Sequence, residues 1–129
     1  MSSSATSYPV RTLFLVDVEN LVGHGRLTAQ EVATARSEVA TIRPIADQDL
    51  VIIGSHPGNV IAAGQGWPGA RYVCRRGSDG ADLALLEVVA YENVHTRFTQ
   101  IVIASGDGIF SYAAAYLAST GCHVSIVGS

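Results

Sequence analysis

Five short stretches along the chain carry the apolar, β-branched character of strands: Val10–Val16, Leu50–Gly54, Arg71–Arg75, Gln100–Ala104 and His123–Val127. Each is bounded by polar or glycine-containing breaks, and each is too short for a globular helix. The first is the most informative. Leu13-Phe-Leu-Val16 is an unbroken apolar run that ends abruptly in Asp17, with Glu19 and Asn20 close behind. Such a run reads as a strand buried on both faces. A carboxylate following it directly has no place in an apolar core without a partner. Asp17 is therefore expected at the strand's carboxyl end, where open parallel sheets form their binding crevice.

Between the strands the period changes to that of helices. Thr28-Ala-Gln-Glu31 is a capping box that opens a helix running to about Ile42, before Pro44. Asn59–Ala63 has room for one or two helical turns before Gly64, Gly66, Pro68 and Gly69 break the pattern. Asp79 is a natural N-cap for a helix over Ala81–Asn93, which Leu85, Leu86, Val88 and Val89 make apolar over most of its surface. Ile109–Ser119 is an Ala-rich helix with Gly121 just past its end. The segment from Asp17 to Leu27 reads as a loop, and His56-Pro-Gly, Gly77–Gly80 and Ser105–Gly108 read as turns. Five strands alternating with four helical connections predict an α/β fold on a doubly wound parallel sheet.

Composition narrows this further. A chain of 129 residues with 48% hydrophobic and 15% charged positions fits one domain with a real core. Residues 1–9 read as a short flexible Ser/Thr/Ala-rich tail, without the basic and apolar regions of a secretory signal, and residues 10–129 as the domain. No apolar run approaches the roughly 18 residues of a membrane span, so a cytoplasmic location and no membrane partner are expected. Cys74 and Cys122 both fall in strand-like stretches and read as buried free thiols. The net charge of -3 speaks against coating nucleic acid through bulk charge, while leaving room for a local basic patch. All eight basic residues are arginine. The absence of lysine excludes a Walker A lysine and a Schiff-base lysine.

Three carboxylates share the predicted carboxyl edge of the sheet. Asp17 follows the first strand, Asp107 follows the fourth, and Asp82 lies in the first turn of the helix after the third. Clustered carboxylates repel unless a cation compensates, and hard cations such as Mg²⁺ or Mn²⁺ favour such oxygen donors. Taken singly, Asp82 also fits a helix-dipole partner and Asp107 a turn residue. Asn20 fits either a substrate contact or an Asx-turn, and Ser105 either a metal or phosphate neighbour or a bond within its turn. Glu19 reads as solvated or paired with an arginine, and as the best candidate for an extra acid. Arg75 and Arg76 end the third strand on the same edge, where guanidinium forks suit phosphate or simply protect an edge strand. Trp67 and Tyr72 are packing residues with the shape to stack bases. His24, His56, His95 and His123 sit in unrelated contexts and form no readable Ser-His-Asp set.

These motifs resemble the NYN domains, a branch of the PIN-like nucleases. The likeness rests on Val16-Asp-Val-Glu-Asn20, on Gly80-Ala-Asp82-Leu-Ala-Leu and on Ser105-Gly-Asp107-Gly-Ile-Phe110, and it extends from about Arg11 to Val127. It implies a PIN-like three-layer α/β/α sandwich with a central five-stranded parallel sheet, the first strand lying beside the fourth. It further implies a ribonuclease dependent on Mg²⁺ or Mn²⁺, with Asp17, Asp82 and Asp107 as its catalytic and metal-holding acids and Asn20 and Ser105 as polar neighbours. The chain departs from the pattern at Ile109, where many members carry a further Asp, and at Ser78-Asp-Gly-Ala-Asp82, which lacks the usual basic residue.

The expected function is thus a divalent-metal-dependent endoribonuclease hydrolysing RNA phosphodiester bonds, with Arg75 and Arg76 holding the RNA backbone. RNA is the expected partner, and a homodimer stays open as the assembly. The alternative is a non-catalytic RNA-binding or protein-interaction module that retains the fold. A phosphatase of the Asp-x-Asp type is weaker, because Glu19 stands where its second Asp belongs and no lysine is present.

Overall fold

Asp17 ends β1 (Thr12–Asp17), and all six residues of that strand are buried. The computed structural model of the protein describes residues 10–128; the tail expected over residues 1–9 lies outside them. The strands β2 (Leu50–Ser55), β3 (Arg71–Cys74), β4 (Gln100–Ala104) and β5 (His123–Val127) complete one sheet in the order β3-β2-β1-β4-β5. Every pairing is parallel. β1 is central and lies beside β4, with Val16 opposite Ala104 and Asp17 opposite Gly54 of β2.

Alternation along β1 divides the core in two. Leu13 and Leu15 point into one layer with Leu85, Val88, Phe110 and Leu117. Phe14 and Val16 point into the other with Val32, Val39, Ala63 and Trp67. Each of these β1 side chains is wholly buried, and each such burial stabilises by about 1.5–3 kcal/mol. The first layer is built by α4 (Gly80–Tyr91), α5 (Val94–Arg97) and α6 (Ser111–Ser119), and the second by α1 (Val18–Val22), α2 (Ala29–Ile42) and α3 (Val60–Gly66). The result is a three-layer α/β/α sandwich. Among the described residues no helix is long and apolar enough to cross a membrane.

Local chemistry sets several boundaries. The Thr28 capping box forms in full: Thr28 Oγ1 accepts from the Glu31 N–H at 3.2 Å, and Glu31 Oε1 accepts from the Thr28 N–H at 3.0 Å. Gly121 takes the left-handed conformation after α6. Two helices depart from the sequence expectation. The segment after Asp17 is not all loop, because Asp17 itself caps α1 through the Asn20 N–H. The long helix over Ala81–Asn93 ends at Tyr91, and left-handed Asn93 starts the separate α5. The thiols also divide: Cys122 is buried as expected, whereas Cys74 is exposed because β3 is an edge strand. Trp67 is packed in the core, so it presents no free face for stacking, and its carbonyl accepts from the hydroxyl of the half-buried Tyr72 at 2.5 Å.

Gly54 places α4. A Cβ there would lie 2.6 Å from Leu85 Cγ and 2.7 Å from the Ala81 carbonyl oxygen. Only a bare backbone lets the first turn of α4 rest directly on β2, at the level of Asp17. Gly80 is confined in the same way, since a Cβ would meet the Arg75 carbonyl oxygen at 1.8 Å. Together the two glycines hold Asp82 at the carboxyl edge of the sheet.

Candidate functional site

The chain runs from β1 to β2 and β3 on one side and returns to β4 and β5 on the other, so the sheet's topological switch lies between β1 and β4. A crevice opens at such a point because the connections leave in opposite directions. Here it is a cleft of about 190 Å³ lined by Asp17, Glu19, Asp79, Asp82 and Asp107, with Asn20 alongside. The three acids expected from sequence therefore meet in one cleft, and two more join them.

Each acid is held differently. Asp17 is 3% exposed. One of its oxygens accepts from the Asn20 N–H at 3.3 Å and the other from the Ser105 hydroxyl at 3.2 Å. Asp107 sits on the loop after β4, where one oxygen accepts from the Ile109 N–H at 3.0 Å. Asp82 is 6% exposed. Its hydrogen-bonding neighbours are the Asp17 and Asp107 carboxyls, and burial first, then these two acids, push its pKa up to about 8. At neutral pH a proton thus sits in the cluster where a cation would otherwise neutralise it.

The polar neighbours serve the geometry of the acids. Ser105, 1% exposed, donates to Asp17 and accepts from the Asp107 N–H at 3.1 Å, so one hydroxyl ties both acids. Asn20 Oδ1 accepts from the Gly106 N–H at 2.7 Å, joining α1 to the loop after β4 across 86 positions of sequence. Ser105 thus makes the bond expected within its turn, whereas the Asn20 side chain reaches a distant loop instead of closing an Asx-turn.

The arginines behave otherwise. β3 ends at Cys74, so Arg75 and Arg76 lie in the following loop rather than in the strand. Neither lines the acidic cleft. Arg75 pairs with Glu87 of α4 at 3.0 Å, with both side chains half exposed. Arg71 forms a two-pronged pair with Glu92 at 2.5 and 2.6 Å, which lowers the Glu92 pKa and raises that of Arg71. Arg71 and Arg75 thus pair with acids of α4 and its C-terminal end, and Arg76 is exposed. No histidine lines the cleft either: His24 pairs with Glu31, and His95 stacks edge-on against Tyr116.

Two expectations are corrected at the margin of the site. Asp79 precedes α4 but makes no capping bond, and its exposed side chain lines the cleft instead. Glu19 is half-buried and pairs with no arginine among the described residues. Its Oε2 accepts from the His56 N–H at 2.7 Å and from Asn59 Nδ2 at 2.6 Å. Asn59 itself had no signal in the sequence beyond a helix start; only the fold brings it to Glu19, 40 positions away.

The donor set fits a hard divalent cation: every group is a carboxylate, hydroxyl or amide oxygen, and no N–H of the described residues donates to Asp82, which is 6% exposed. Among the described residues no three His, Cys, Asp or Glu side chains form a ready-made metal cage. A cation that keeps most of its waters needs only one or two direct carboxylates. Comparison with known protein families, with curated proteins and with solved structures finds no match for this chain.

Proposed function

We propose that the chain is a divalent-metal-dependent endoribonuclease of the NYN type, hydrolysing RNA phosphodiester bonds in the cytoplasm. The observation that carries this reading is Asp82: it is buried against Asp17 and Asp107, at the switch point of a parallel sheet, and no N–H of the described residues donates to it. Asp17, Asp82 and Asp107 would hold Mg²⁺ or Mn²⁺. Once bound, such a cation supplies an activated water and a Lewis-acid hold on the phosphate. The chain's own groups set the frame for this. The Ser105 hydroxyl fixes one oxygen of Asp17 and the backbone of Asp107. Asn20 pins Gly106, which aims Asp107 at the cleft. Asp82 gives up its proton when positive charge enters. Arg75 and Arg76, beyond the rim, would meet the RNA backbone away from the acids.

The test compares wild type with Asp82→Asn on labelled RNA, with Mn²⁺ and with EDTA. Cleavage by wild type that EDTA abolishes and Asp82→Asn lacks supports the reading. Equal cleavage by both proteins, or none by wild type at high enzyme, overturns it.

One observation favours a second reading, a non-catalytic RNA-binding or protein-interaction module. The cleft is lined by acids with no basic side chain among them, and the whole chain carries a net charge of -3. On that reading RNA or a protein partner binds equally well with EDTA, and no cleavage follows.

A further inference from the structure

Glu19 differs from the other acids of the cleft in how firmly it is placed. Both of its donors, the His56 N–H at 2.7 Å and Asn59 Nδ2 at 2.6 Å, reach the same oxygen, Oε2. Oε1 has no donor among the described residues, and the side chain lines the cleft that holds Asp17, Asp82 and Asp107. The anchor is itself rigid. Asn59 is 5% exposed, and its amide also donates to the Gly25 carbonyl at 3.0 Å and accepts from the Leu27 N–H at 3.1 Å. One buried amide thus locks the loop before α2, the turn after β2 and the Glu19 carboxylate together. A carboxylate that only stabilised this corner would do so with either oxygen turned to solvent. Here the unbonded oxygen belongs to a side chain that lines the same cleft as Asp82, a buried acid to which no N–H of the described residues donates.

We infer that Glu19 is a further acid for the cation of this cleft, and that Asn59 is its positioning residue. The inference rests on the metal-dependent reading of the cleft. Glu19 binds the ion directly or through one of its waters with Oε1, while Oε2 stays on His56 and Asn59. Asp79 is the contrasting case: it lines the same cleft, is exposed, and its side chain makes no capping bond. A carboxylate fixed in advance loses less side-chain freedom on binding than a mobile one. Glu19 therefore contributes more to affinity than Asp79.

Glu19→Gln separates the roles, because its amide oxygen still accepts from His56 and Asn59 while the negative charge is gone. Mn²⁺ is titrated into wild type, Glu19→Gln and Asp79→Asn by calorimetry, with melting temperatures taken without metal. The expected result is a loss of about tenfold or more in Mn²⁺ affinity for Glu19→Gln, a smaller loss for Asp79→Asn, and an unchanged metal-free melting temperature for Glu19→Gln. Wild-type affinity in Glu19→Gln overturns the role of Glu19 and leaves the three-aspartate site standing. No Mn²⁺ binding by wild type overturns both. If Glu19→Gln melts early, a crystal of wild type grown with Mn²⁺ decides: Glu19 Oε1 on the ion or on one of its waters supports the assignment, and its absence from both refutes it.

Discussion

A Cβ on Gly54 would stand 2.6 Å from the Cγ of Leu85, so the carboxyl end of β2 and the first turns of α4 meet without a side chain between them. Gly54 is also the register partner of Asp17. The same close contact therefore sets the depth of α4 and brings Asp82 to the first acid. Gly54→Ala is expected to destabilise by about 1–3 kcal/mol, the usual cost of overpacking, because the Ala81 carbonyl cannot swing away as a side chain can. It should also weaken Mn²⁺ binding by displacing Asp82. Urea unfolding and a metal titration on the same protein check both effects.

The buried acid makes the stability of the metal-free protein fall with pH. Asp82 titrates near 3.8 ordinarily and at about 8 in the fold. Between those values the native state keeps a proton that the unfolded chain has released, so stability declines as pH rises through that window. The contribution is fully present below about pH 4 and is lost as pH passes 8. Melting curves in EDTA from pH 5 to 8 should show the decline, and Asp82→Asn should flatten it. A wild-type curve as flat as the variant's contradicts the coupling of the three acids. Mn²⁺ should raise the melting temperature more at pH 8 than at pH 6, because binding displaces the proton.

Asn20→Ala removes the acceptor of the Gly106 N–H and unties α1 from the loop after β4. A stability loss of about 1 kcal/mol is expected for one such bond. Cleavage should fall by more than this implies, because Asp107 follows on the released loop. Denaturant unfolding set beside cleavage rates at saturating Mn²⁺ checks the difference.

Arg75 and Glu87 form an exposed pair, so Arg75→Ala should change stability by less than about 1 kcal/mol. If Arg75 and Arg76 meet the RNA backbone, the double alanine variant weakens RNA binding uniformly across sequences and lowers the salt slope by about 2, with Mn²⁺ affinity unchanged. RNA binding measured over a range of salt concentrations tests this.

The parts of the site that were legible in the chain are those set by short-range pattern. Asp17 stood out because Leu13 to Val16 lead straight into it, and the alternation of strands with helices was enough to place Asp82 and Asp107 on the same edge. What escaped depends on contacts between distant segments. Asn59 meets Glu19 only because the turn after β2 lies beside α1, and nothing local marks either residue for that meeting. Asp79 has the ideal identity and position for a cap, yet its side chain makes no capping bond and lines the cleft. Asp17 starts a helix from within what reads as a loop, because an Asp after an apolar run gives no sign of which N–H it will accept from. Arg75 and Arg76 were placed on the correct edge of the sheet, but α4 supplies Glu87 to draw Arg75 away from the acids.

Cleavage of RNA carrying a phosphorothioate at the scissile position tests most directly whether a cation held by Asp17, Asp82 and Asp107 contacts the phosphate. Sulfur is a poor partner for hard Mg²⁺ and a better one for Mn²⁺. A metal held in this cleft predicts that the substitution slows cleavage sharply in Mg²⁺ and that Mn²⁺ restores it. Equal slowing in both metals, or no metal-dependent cleavage of either RNA, would contradict it.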